Sequence, residues 1–212
     1  YREYKLNLSG VQDILTNIIF FFISIFIFIF SIGPDKETIS IIGVGIIWTL
    51  LLLSSTLSLR KFYQDDFENG NLLITHLNGF SFGFIAILKT LSHFFFVQVP
   101  FLISLPIASI LLNIASDKLI YLFSSFAIGS LILSCLGSIS SSMNLMNQKN
   151  FLLGSVIVMM LSIPVIIFSV GVINFEENFN SLINILFGIL LIVFAINPWA
   201  GGLCLKLSLE NS

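Results

Sequence analysis

The sequence predicts an all-α integral membrane protein of about six transmembrane helices, with an N-terminal interfacial helix and a cytoplasmic coupling helix. Three observations predict it. Only 9% of the 212 residues are charged while 57% are hydrophobic, and the mean hydropathy is +1.05. Soluble domains carry roughly 25% charged residues, so lipid must be the solvent for most of this surface. The apolar residues fall in continuous runs of about 20, enough at about 1.5 Å per residue to cross a hydrocarbon core of about 30 Å. The runs do not alternate in polarity as the strands of a membrane barrel would, and a helix satisfies its own backbone in lipid.

Taken in order, residues 1–13 place Tyr1, Tyr4, Leu8 and Val11 at helical spacing among Arg2, Glu3, Lys5 and Asn7. This predicts a short helix in the interface plane leading into the first span. The chain opens on Tyr1 rather than Met, which leaves open what precedes it. Spans are predicted at 14–32, 39–59, 82–112, 119–142, 151–173 and 182–207. The first run is too long for a signal-peptide core and is expected to be retained. The third is overlong and holds Pro100 and Pro106, each of which removes a backbone donor, so a kink or break is expected between them and both are candidate conformational hinges. Pro164 and Pro198 interrupt the fifth and sixth spans in the same way. Gly43, Gly45, Gly129, Gly137 and the serines of 138–142 are expected where helices approach closely. No repeat or flexible linker divides the chain, so a single transmembrane domain, 1–212, is expected.

With both termini in the cytoplasm, Arg2, Lys5, Arg60, Lys61, Lys89, Lys149 and Lys206 fall on or near that side and only Lys36 and Lys118 outside. The positive-inside rule selects this orientation. It places residues 60–81 in the cytoplasm and Glu176 and Glu177 on the far side.

Several chemistries find no support. There is no GxxxxGK[ST] loop for nucleotide phosphates and no HExxH. Cys135 and Cys204 sit in separate apolar runs, and His76 and His93 lack a carboxylate at ligand spacing, so neither a metal site nor a catalytic residue is assigned. A net charge of −2 gives no electrostatic support for nucleic acid. Carriers driven by ions place a carboxylate at mid-membrane, and the spans hold almost none. A pump without its own nucleotide site or charge relay needs an outside source of energy, and residues 60–81 are the candidate docking element for a separate ATPase. There, Phe62, Tyr63 and Phe67 are expected on one side of a short surface helix, with Gln64, Asp65, Asp66 and Glu68 around the rest. Asn69-Gly70-Asn71 and Asn78-Gly79 read as turns.

A charged loop after the second span carrying Glu68, Gly70 and Leu72, with Lys89 beginning the third, resembles the ABC-2 permeases. A closer resemblance runs through Ser31-Ile32-Gly33-Pro34, Gly45-Ile46-Ile47-Trp48, Leu53-Ser54-Ser55, Phe62, Asp65-Asp66, Gly70, His93, Pro100 and Pro106. In that order and spacing the chain resembles the haem exporter protein B (CcmB) family. It departs from the family at Leu73, where a Glu is usual, and at Asn78-Gly79, where prolines are frequent. The resemblance implies ABC-2-type permease architecture in a bacterial inner membrane, or its mitochondrial counterpart. It implies a half-transporter that pairs with itself and with two copies of the ATPase subunit CcmA, alongside CcmC, CcmD and the haem chaperone CcmE. ATP would then be bound by the partner and haem handled by the complex, with no cofactor held by this chain. ATP hydrolysis would export haem or release the haem-loaded chaperone. Arg60, Phe62, Tyr63, Asp65, Asp66, Phe67, Glu68 and Gly70 become the candidate coupling residues. His93 stays open between a haem ligand and a hydrogen-bonded packing residue. Rival readings are an ABC-2 permease for another cargo, such as a lipid-linked glycan, a scaffold that transports nothing, and an ion-coupled carrier.

Overall fold

The computed structural model describes residues 2–33, 35–59, 62–146 and 151–210. Among these no strand occurs, and six helical stretches are long and apolar enough to cross a membrane: Ile14–Ile32, Lys36–Ser58, Phe82–Leu111, Ser116–Leu145, Gly154–Asn174 and Phe179–Glu210. Each predicted span finds its counterpart within a few residues. The protein is an all-α, multi-pass membrane protein.

Helix α1 (Arg2–Ile32) is continuous. The expected interfacial segment is therefore not a separate element, because no turn parts it from the span. Helix α2 (Lys36–Ser58) begins at an N-cap, Asp35, whose carboxylate accepts from the Glu37 backbone N–H and from the Thr38 hydroxyl. Capping satisfies donors that the first turn leaves unpaired. Two short helices follow, α3 (Gln64–Glu68) and α4 (Asn71–Leu77), divided at Gly70, whose φ of 70° lies in the left-handed region that glycine enters without penalty. Gly79 (φ 97°) ends α4 in the same way.

The third span comprises α5 (Phe82–His93), a π-helical turn (Phe94–Gln98) and α6 (Val99–Leu111). Its irregularity differs from the expected one. Between Pro100 and Pro106 the winding is regular α, and the distortion lies just before Pro100, where the Val99 N–H reaches five residues back to the Phe94 carbonyl. Pro100 stands in the first turn of α6, where a missing N–H costs little. A 3₁₀ turn (Ser116–Lys118) leads into α7 (Leu119–Met146). Helix α8 (Phe151–Asn174), a second 3₁₀ turn (Glu176–Asn178) and α9 (Phe179–Glu210) complete the chain.

Helix α7 is the centre of the bundle, packed on α5, α8 and α9. Its buried Ser125, Ser130, Ser134 and Ser142 donate to carbonyls of their own helix, three or four residues back. A polar side chain can be buried this way without a partner from elsewhere. Close approach depends on particular glycines. A Cβ at Gly129 would stand 2.3 Å from the fully buried Trp48 ring, which also packs on Phe126 at 5.4 Å. A Cβ at Gly202 would stand 2.8 Å from the backbone nitrogen of Gly83, so α5 and α9 cross backbone to backbone. Gly43 meets Leu112 and Ile114, whereas Gly45 has open space beside it and is not a packing glycine. Phe30, Ile110 and Trp199 are among the large side chains exposed on the outer faces, where lipid rather than water is their solvent.

Candidate functional site: a coupling segment keyed into the bundle

Helix α2 stops at Ser58 beside His93, which is eleven residues into the third span, about 16 Å along a helix from Phe82. The chain that follows therefore starts inside the bundle. The segment returns by way of two contacts with α5, Asp66 with Lys89 and then His76 with Phe82. This corrects the expectation that Phe62 and Tyr63 lie on one side of a short surface helix: both precede α3 and turn inward. Phe62 is 7% exposed and Tyr63 fully buried. Gly137 on α7 provides the room, since a Cβ there would lie 2.7 Å from Leu59 and 3.9 Å from Phe62. Phe62 packs at a tilt against the His93 ring (4.8 Å between centroids, 31° between planes) and against Tyr63 (4.9 Å, 48°). The Tyr63 hydroxyl meets Ser138 Oγ at 2.7 Å, and Ser141 Oγ donates to the Leu59 carbonyl at 2.9 Å. Burial pushes the Tyr63 phenol well above its ordinary range, so the ring remains a neutral hydrogen-bonding partner of Ser138.

His93 has both ring nitrogens engaged: Nε2 with Ser58 Oγ at 2.8 Å and Nδ1 with Ser134 Oγ at 3.0 Å. It joins α2, α5 and α7 and packs beneath the coupling segment. In this arrangement neither nitrogen is free to ligate haem. One turn further along, Gln98 donates to Ser55 Oγ at 3.0 Å. Thr90 receives a bond from Asn197 of α9 at 2.8 Å.

The acidic residues divide into two groups. Asp66 forms an ion pair with Lys89 of α5 and accepts from Asn71. It ties the segment to the span. Asp65 and Glu68 are exposed, with Phe67 half-buried between them; Gln64 donates to Glu68 at 2.6 Å, and Asn69 caps the Asp65 carbonyl. At the far end of the segment His76 stacks on Phe82 (4.0 Å) and bonds the Phe80 carbonyl. Arg60, Lys61, Pro34 and Lys149 lie outside the described residues. Sequence reasoning placed Ser138 at a close helix approach but missed Ser58, Ser134 and Gln98. The serines carried no signal in a serine-rich chain. A lone amide at Gln98 in an apolar run was the one legible sign.

Six spans around a serine-lined core, with a short acidic segment embedded at one end, define a helical membrane protein. The comparisons with known proteins agree with that class. The model of the family described as "CcmB protein" matches residues 1–208, and the chain belongs to that family. It is 30% identical over 213 residues to the heme exporter protein B of Haemophilus influenzae, covering 99% of this chain and 96% of that one. It is 27% identical to the heme exporter protein B of Bradyrhizobium diazoefficiens, with the same coverage. The counterpart in Pseudomonas aeruginosa is 25% identical over 80% of this chain and 76% of its own.

Proposed function

We propose that this chain is the transmembrane subunit of an ABC-type haem-export complex in cytochrome c biogenesis, coupling ATP hydrolysis on a separate subunit to movement of its own helices. Family membership supports the haem-export complex. The coupling role is carried by one observation: an exposed acidic face, Asp65 and Glu68, is fixed rigidly to the bundle through Phe62, Tyr63 and the Asp66–Lys89 pair. A segment that is exposed on one side and keyed to two spans on the other acts as a lever. Force on Asp65, Phe67 and Glu68 passes through Phe62 to His93 and hence to α2, α5 and α7. Arg60 and the turn at Gly70 belong to the same segment.

In this reading ATP closes a dimer of the ATPase subunit CcmA, the segment rides that closure, and the third span, marked by Pro100 and Pro106, bends to move its outer end. The useful product is haem translocation or release of the haem-loaded chaperone CcmE, with CcmC and CcmD in the same complex. The chain pairs with a second copy, sits in a bacterial inner membrane with both termini cytoplasmic, and hydrolyses nothing itself. His93 is a packing residue of the lever. The partner can drive the change only through different affinities for the two states, so contacts at Asp65 and Glu68 must differ between them.

The test is the double change Asp65→Lys with Glu68→Lys. The spans should insert and the core contacts persist, while co-purification with the ATPase and cytochrome c maturation fail. Normal maturation in that variant would refute the lever. A complex whose ATPase rate ignores this subunit altogether would mark it as a scaffold.

A further inference from the structure

The π turn at Phe94–Gln98 sits where force from the coupling segment enters the third span. Its first residue follows His93, which is packed against Phe62, and its last is Gln98, hydrogen-bonded to Ser55 of α2. A π turn holds one residue more than an α turn needs and is less stable than α winding, so such turns persist where something else fixes them. Two features fix this one. Pro100 has no N–H with which to close an α turn onto the Phe96 carbonyl. Gln98 is fully buried and held by Ser55, yet its Oε1 has no partner, and the hydroxyl of the equally buried Ser54 is also unpartnered. A buried amide satisfied on one side only marks an arrangement that another conformation can improve. Phe95 and Phe96 face outward and do not lock the turn from the core side.

We propose that the Phe94–Gln98 turn is the joint of the third span, changing between π and α winding as the coupling segment moves, with Gln98 as its catch on α2. This rests on the coupling role proposed above. Losing the extra residue from the turn rotates and advances α6 relative to α5. That transmits motion at Phe62 to the outer end of the bundle while the regular helix between Pro100 and Pro106 moves as one piece.

Hydrogen exchange on the unmodified complex, with and without ATP, tests the joint. Amides of 94–99 should change their exchange rate with nucleotide, together with those of 64–77. A response at 64–77 with none at 94–99 overturns the joint and leaves the lever standing; no response at either overturns the lever and, with it, the joint. Deletion of Phe95 supplies the second arm, because removing one residue from a π turn restores α spacing on both flanks. The deletion variant should assemble with the ATPase and lose ATP-driven maturation. Full activity in that variant overturns the proposal. Gln98→Leu, which removes the catch and its unpartnered acceptor, should leave assembly intact and abolish the nucleotide dependence of exchange at 94–99; unchanged dependence speaks against the catch.

Discussion

His93 shows how a single side chain can bind three helices without being a ligand. Its two serine partners each have a second acceptor in their own helix, Ser55 O for Ser58 and Ser130 O for Ser134, so neither hydroxyl is orphaned when the ring is removed. His93→Ala should therefore cost about 1–3 kcal/mol, from lost packing on Phe62 and two modest hydrogen bonds. Thermal unfolding in detergent would read that loss. Any haem absorbance of the assembled complex should stay unchanged, whereas removing an axial ligand would abolish or shift it. Gly129 is the opposite case, a residue defined by what it lacks. The Trp48 ring occupies the space a Cβ would need. Gly129→Ala should destabilise by about 1–3 kcal/mol, the usual cost of overpacking, and should shift tryptophan fluorescence because the indole must move. An unshifted spectrum with wild-type stability would mean that the two helices pack otherwise.

At the scale of elements, the α5–α9 crossing and the α3–α5 ion pair make separable predictions. Gly202 faces the Gly83 backbone, which cannot yield as a side-chain end can, while Gly188 on the same helix has open space beside it. Gly202→Leu should prevent stable accumulation of the protein. Gly188→Ala should be neutral or slightly stabilising, since alanine is about 1 kcal/mol the better helix former. The two yields, compared on one gel, check the crossing. For the ion pair, Asp66→Lys or Lys89→Glu alone should impair maturation by leaving like charges facing one another, and the combined exchange should restore much of it. Partly exposed pairs contribute little to stability, about 1 kcal/mol or less, so the readout is coupling and not yield. Failure of the combined exchange to rescue either single change would remove Asp66–Lys89 from the lever.

These elements also show what the sequence could and could not disclose. The spans were legible because lipid imposes one requirement on about 20 consecutive residues, and the turns at Gly70 and Gly79 because their backbone favours glycine. The inward orientation of Phe62 and Tyr63 was not legible. An aromatic residue beside acidic ones reads as amphipathic, and only the groove at Gly137, 75 positions downstream of Phe62, decides which side it faces. The π turn was hidden for a related reason: Pro100 announces a disturbance, but its resolution upstream involves the bond from Gln98 to Ser55, which belongs to another helix.

For the whole molecule, the sidedness of the bundle carries the functional reading. Six spans bring the start of α1 and the end of α9 to the same side as α3 and α4, and put the two 3₁₀ turns, Ser116–Lys118 and Glu176–Asn178, opposite. The proposed function needs the coupling side to be cytoplasmic, the orientation that the positive-inside rule favours, because ATP is on that side. Ser116, Asn178 and Asn78 are all exposed, so each can report its side as a single cysteine once Cys135 and Cys204 are replaced by alanine. A membrane-impermeant maleimide applied to intact cells should label Ser116→Cys and Asn178→Cys and spare Asn78→Cys until the membrane is opened. The reverse pattern would leave Asp65 and Glu68 on the side without ATP. A lever there has nothing to push it, and the bundle would need another source of motion although its charges, in spans almost free of carboxylates, offer none.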